Sequence, residues 1–244
     1  MIASLTSLPF RADNSRLWDV VGEGEVWHIA DYAADFFKKH HRPLRIAVDE
    51  ACWRFRNLNA YQVEQIRERQ SAANPIEKVI LQRIYRLLRL NIQLIFVDDG
   101  LRRPRKRGKA GGGKLDDELK RPTRQLLTQL KIPHHEAPAE PEAECARMQA
   151  LGIVDAVWSD DGDSFMFGCG TLIKQHKQGR SKVKDHVRIY HAESIREQHD
   201  LDRESLVLFA LLAGGDYVQG GLHGCGARTA AVVSRRRTGL AHAL

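Results

Sequence analysis

The sequence predicts an α/β protein built on a doubly wound, mostly parallel sheet flanked by helices. Two observations predict it. Short apolar runs recur, each closed by polar turn residues, as buried parallel strands are. Segments with helical signals lie between them, and strand–helix alternation points to crossover units. A chain of 244 residues, 43% of them apolar, can supply the core of one such domain.

The strands come in order. Leu44–Val48 (LRIAV) ends in Asp49, and Ile92–Val97 (IQLIFV) ends in Asp98-Asp99-Gly100. Val154–Ser159 (VDAVWS) ends in Asp160-Asp161-Gly162-Asp163, and His186–Tyr190 (HVRIY) is the fourth run. Asn74-Pro75-Ile76-Glu77 opens a helix with a cap residue, Pro at the first position and Glu three after the cap. Ile76, Ile80, Ile84 and Leu88 then form its core-facing stripe. Pro141 opens a second helix to about Leu151, and Asp202 caps a third over Arg203–Ala213. Trp53 and Phe55 read as packing residues. His134-His135-Glu136 offers a metal pair, but adjacent side chains point apart on any regular element, and the favoured reading is a surface turn.

The charge sum is 38 Lys+Arg against 31 Asp+Glu, a net +7, which favours an anionic partner, nucleic acid first. Leu101–Lys114 (LRRPRKRGKAGGGK) concentrates seven basic residues and four glycines with no acid. It is expected to be a flexible positive loop. Lys174, Lys177, Arg180, Lys182 and Lys184 form a second basic cluster, read equally well as a solvated loop. No apolar run approaches the ~18 residues of a membrane span. The four cysteines form no C-x-x-C pair, which argues against a zinc site or disulfide framework and for a reducing compartment. Ser4, Thr6, Ser7 and Arg11 give only a faint transit-peptide composition.

The acids carry the chemistry. In open α/β sheets, ligands sit outside the carboxyl ends of the strands. Asp49, Asp99, and Asp161 with Asp163 all fall there. Glu140, Glu142 and Glu144 sit at a helix start, and Asp216 follows an apolar helix in GGDY. Singly, each has a plainer reading as a turn residue or a helix-dipole partner. Together they repel unless a cation is present, and hard oxygen ligands suit Mg²⁺ or Mn²⁺. Two such ions ~4 Å apart can activate water and stabilise the leaving oxygen of a phosphodiester. This chemistry points to a metal-dependent nuclease or phosphatase, with the basic loop on the phosphate backbone.

The runs IAVDEACWRF, FVDDG, APAEPEAECA, SDDGDSFMFG and LLAGGDYVQGGLHGCGARTA resemble, in order and spacing, the flap-endonuclease/XPG superfamily of structure-selective DNA nucleases. The resemblance runs from about Leu17 to Ala231. It implies a PIN-like nuclease core over 14–203 and the start of a helix–two-turn–helix element over 204–234. Residues 1–13 stand outside it as a disordered or mis-started N-terminus, and 235–244 as an atypical, truncated tail. Its metal carboxylates fall on Asp49, Asp99, Glu140, Glu142, Asp161, Asp163 and Asp216. Lys106 falls where a lysine contacts the scissile phosphate, and Asp98 where the family usually has Phe. Implied DNA contacts are Arg102, Arg103, Arg105, Arg107 and Lys109 in the loop, and Gly224, Gly226 and Arg228 in the glycine hairpin.

The implied cofactor is two Mg²⁺, with Mn²⁺ as a substitute, and no small-molecule cofactor is expected. The short loop between Asp99 and Glu140, with LWDV, AECA and KRGK, looks most like the fungal GEN/Yen-type Holliday-junction resolvases. The expected substrate is branched DNA in the nucleus, with a dimer on the junction as one stoichiometry. The alternatives are a 5′-flap endonuclease, an inactive branched-DNA-binding fragment, and a PIN-domain ribonuclease. A mitochondrial location is the alternative to the nucleus.

Overall fold

Seven strands form one sheet in the computed structural model, which describes residues 15–55, 58, 60–71, 74–102, 114–179, 181–215 and 220–243. The strands are β1 (Glu25–His28), β2 (Arg45–Asp49), β3 (Gln93–Asp98), β4 (His134–Glu136), β5 (Ala156–Trp158), β6 (Thr171–Gln178) and β7 (Ser181–His191). Their order across the sheet is β1-β7-β6-β5-β2-β3-β4. The β6–β5–β2–β3–β4 run is parallel throughout, and β7 alone is antiparallel to its neighbours β6 and β1.

Two strands differ from what the sequence predicts. His186–Tyr190 belongs to the long antiparallel strand β7 and not to a fourth parallel one, because a tight turn at Gly179 folds β7 straight back onto β6. His134–Glu136 is not a turn but the short edge strand β4, paired with Phe96–Asp98. Its two histidines point apart because a strand, too, alternates its side chains.

Helices cover both faces. One layer holds α2 (Ile29–His40), α3 (Glu50–Phe55), α4 (Ala60–Arg69), α5 (Pro75–Arg89) and α6 (Lys114–Gln129). The other holds α1 (Ser15–Val21), α7 (Pro141–Ala150), α8 (Asp163–Met166), α9 (Ala192–His199), α10 (Arg203–Ala213) and α11 (Ala227–Ser234). Strand alternation feeds both cores. Ile46, Val48, Phe96, Trp158 and Ile173 pack toward α5, while Ala47, Val97, Val157 and Leu172 pack toward α7 and α10. Trp53 is fully buried, as expected, edge-on to Phe96 and Trp158, and the Arg83 guanidinium lies over both indoles. Phe55's side chain lies outside the described residues.

Helix termini follow local rules. The Asp202 side chain accepts from the Ser205 N–H at 3.0 Å and caps α10. α5 starts at Pro75, but Asn74 makes no side-chain cap bond. Its stripe ends on buried Leu87 rather than Leu88, which is 44% exposed, because 3.6 residues per turn shifts the fourth position back by one. Ala230 and Ala231 of α11 are buried, while Val232 is half exposed. The last residues form two 3-10 turns, and Arg236 and His242 both pair with Asp202. No helix among the described residues is long and apolar enough to cross a membrane.

From β2 the chain moves to β3 and β4 on one side, then returns to β5 on the other. That reversal makes the carboxyl ends of β2 and β5 the topological switch point, where open α/β sheets place their ligands. At the opposite ends, Arg42 and Arg45 both grip Asp155 with bonds of 2.6–3.1 Å.

Candidate metal centre and nucleic-acid interface

Asp49 is the last residue of β2 and is buried. Its Oδ2 accepts from the Ser159 hydroxyl at 2.9 Å, and its Oδ1 accepts from the Cys52 N–H at 3.3 Å. Ser159 directly follows β5. Its Oγ also accepts from the Asp161 N–H at 3.1 Å, and Asp161 Oδ1 accepts from the Asp163 N–H at 3.0 Å. Asp163 opens α8. At Gly162 a Cβ would lie 2.7 Å from Leu17 Cδ2, so α1 packs directly on this acidic turn.

Asp99 follows β3, next to the loop that leads into α7. The Ala137 N–H donates to Asp98 O at 2.9 Å, and the Gly100 N–H donates to Ala139 O at 2.8 Å. A Cβ on Gly100 would sit 1.8 Å from Ala137 O, so only glycine lets these two segments touch. Glu140 is the N-cap residue of α7 and Glu142 lies in its first turn, with Pro141 between them at the first helical position. The Lys120 ammonium, buried on α6, donates to Asp99 O at 3.1 Å. Asp98 is turned away into a salt bridge with Arg124 at 2.6 Å, and Arg124 also reaches Glu136. Glu144 pairs with His135 at 3.2 Å.

The electrostatics tie these acids together. Burial pushes the Asp49 carboxyl well above the usual range, against its two hydrogen bonds and with further pressure from Asp161 and Asp99. Burial likewise raises Glu142, reinforced by Asp49, Asp161 and Glu140. Glu50 is pushed up to about 7 by burial, against the charge of Arg54. Asp49 thus feels Asp161 and Asp99, and Glu142 feels Asp49, Asp161 and Glu140, all of them among the expected carboxylates. Among the described residues no three of them bring ligand oxygens within 4.8 Å of one another; the set that does is Asp202, Glu204 and His242. There Asp202 is already engaged as a helix cap and tail anchor. Buried or half-buried carboxylates that press on one another at one sheet edge make an oxygen-donor set that fits hard divalent cations.

Asp216 lies outside the described residues, as do Arg103, Arg105, Lys106, Arg107 and Lys109. Arg102 is exposed where the basic loop begins. Gly224 has φ +78, the left-handed conformation that favours glycine, whereas Gly226 is the extended N-cap of α11. Arg228 is exposed in the first turn of α11. Sequence reasoning missed Ser159 and Lys120. Ser159 carried a weak signal as the strand-end residue before the acidic turn; Lys120 carried none, being one charge among many in DDELKR.

Residues 131–216 match the family model of the XPG I-region. Flap endonuclease GEN homolog 1 of Homo sapiens is 30% identical over 231 residues, covering 84% of this chain and 24% of that protein. The Holliday junction-resolving enzyme GEN1, solved in complex with product DNA and Mg²⁺ ion, superposes with a TM-score of 0.70 at 35% identity, over 93% of this chain and 52% of that one. The chain belongs to the XPG/flap-endonuclease superfamily. The catalytic core of Rad2 also superposes, with a TM-score of 0.63 at 27% identity, over 89% of this chain and 64% of that one. The XPG I-region so matched begins three residues before β4 and runs through α7, β5 and the acidic turn to Asp216. This XPG/flap-endonuclease chain spans about a quarter of the human relative's length and about half of the GEN1 chain.

Proposed function

We propose that this protein is a Mg²⁺-dependent, structure-selective endonuclease that hydrolyses phosphodiesters in branched DNA, with the Holliday junction as its main substrate. The observation that carries the reading is the gathering of strand-end and helix-start acids at the carboxyl edge of the sheet, where Asp161 and Asp99 press on Asp49, and Asp49, Asp161 and Glu140 press on Glu142. The related GEN1 structure with product DNA and Mg²⁺ supports the same metal and substrate class. Asp49, Asp99, Glu140, Glu142, Asp161, Asp163 and Asp216 would hold two divalent ions. Bound there, such ions supply positive charge to offset the phosphate and acidify a water.

The chain's own residues do the rest. Ser159 and the Cys52 N–H orient Asp49, while Gly100 and Lys120 hold Asp99 in place. Arg102 and the basic residues after it bind phosphates without reading sequence, with Lys106 toward the scissile one. Gly224, Gly226 and Arg228 bind the backbone of a duplex arm at the α11 N-terminus. A nuclear location goes with this substrate, and two chains on one junction would cut two of its four strands. The second reading, a 5′-flap endonuclease, is favoured by the name of the human relative. Labelled four-way junction, 5′ flap and single-stranded RNA, each incubated with and without Mg²⁺, separate the readings. Junction cleavage only with Mg²⁺ is expected. Preference for the flap supports the second reading, and cleavage of RNA alone contradicts both.

A further inference from the structure

Ser159 is fully buried between the two halves of the acidic edge, and its single hydroxyl serves both. One lone pair receives the Asp161 N–H at 3.1 Å, and the proton goes to Asp49 Oδ2 at 2.9 Å. Asp49 ends β2, whereas Asp161 lies in the turn after β5, and the two strands are direct neighbours. The other Asp49 oxygen is held by the Cys52 N–H at 3.3 Å, so the carboxylate is gripped at both oxygens from the protein side. The same connection continues from Asp161 Oδ1 to the Asp163 N–H at 3.0 Å. A hydroxyl here is therefore the joint through which the strand-end acid and the acidic turn keep a fixed relation.

We propose that Ser159 is a positioning residue for the metal centre, setting the spacing of Asp49 against Asp161 and so the affinity for the divalent cation. The proposal rests on the reading of these acids as a divalent-cation site. Buried alkyl groups could fill the same volume, but none would both accept the Asp161 N–H and donate to Asp49. Outer partners of metal ligands set affinity by orienting them, and their loss typically lowers it about 10–100-fold.

The test is calorimetric titration of the DNA-free protein with Mg²⁺, repeated with Mn²⁺, for the wild type, Ser159→Ala, Ser159→Thr and Ser159→Cys. Thermal unfolding in EDTA checks that each variant is folded. Ser159→Ala is expected to bind the cation about 10–100-fold more weakly. Ser159→Thr, which keeps the hydroxyl, is expected to stay near wild type. Ser159→Cys, whose thiol is a weak donor, covers the case in which the alanine variant does not fold, and its affinity must then fall in the same direction. Wild-type affinity in a folded Ala or Cys variant overturns the proposal. Absence of cation binding by the wild type itself would instead overturn the underlying reading of the centre.

Discussion

The ammonium of Lys120, only 5% exposed, donates to the carbonyl oxygen of Asp99 at 3.1 Å. Lys120 lies on α6, six residues after its start at Lys114, and that helix emerges from the basic loop. The bond therefore ties α6, which follows the basic loop in sequence, to the backbone of a strand-end acid of the proposed metal centre. It also places a buried cation beside repelling carboxylates, lowering the cost of ionising Glu50 nearby.

Lys120→Met keeps the stem and removes the charge. Cleavage is expected to fall about 10–100-fold, the usual effect of losing an outer partner. Single-turnover cleavage at saturating DNA measures it, and an unchanged rate would show that the contact only packs.

Gly100→Ala is expected to be more damaging to the fold. Its Cβ would lie 1.8 Å from Ala137 O, and the neighbour is backbone that cannot swing aside. The loops carrying Asp99 and Glu140 must then separate, at about 3 kcal/mol, the upper range for overpacking. Urea denaturation checks this, with the midpoint falling and the slope unchanged.

Much of this site was legible in the sequence, because strand-end acids and a Pro-led helix start are local patterns. Asp49 and Asp99 follow apolar runs directly, and Pro141 marks the helix that presents Glu142. What was not legible depends on distant pairing. His134–Glu136 is a strand only because β3 offers an open edge, and nothing within three residues signals that. The direction of β7 is set by the turn at Gly179, whereas an apolar run alone reads the same parallel or antiparallel. Ser159 and Lys120 are ordinary residues in sequence, and their partners lie on other elements.

Glu142→Gln is expected to stabilise the metal-free protein while impairing cleavage. Burial and neighbouring acids raise the Glu142 carboxyl, so the folded state holds its proton more tightly than the unfolded chain does. Stability without metal should therefore decline as pH rises from about 4, the unfolded glutamic acid value, toward the raised folded value. The glutamine variant should show a flatter decline. Thermal unfolding in EDTA from pH 4 to 9 measures both slopes, and parallel curves would refute the electrostatic account.

The basic loop is expected to contribute sequence-independent binding. Replacing Arg102, Arg103 and Arg105 by Ala should flatten the slope of log K against log salt by roughly two to three units, at about 0.9 per phosphate contact in B-DNA. Fluorescence anisotropy with junction DNA at several salt concentrations measures it. An unchanged slope would make the loop a tether.

The most direct test of the central claim is Mg²⁺-dependent cleavage of a labelled four-way junction by the wild type and by Asp161→Asn. The substitution keeps shape and removes one carboxylate charge from the turn that Ser159 fastens to Asp49. The wild type should cut only when Mg²⁺ is added, and folded Asp161→Asn should bind the junction but cut it at least about a hundredfold more slowly, as loss of a catalytic electrostatic group does. Undiminished cutting by Asp161→Asn, or cutting by the wild type in EDTA, would contradict the account.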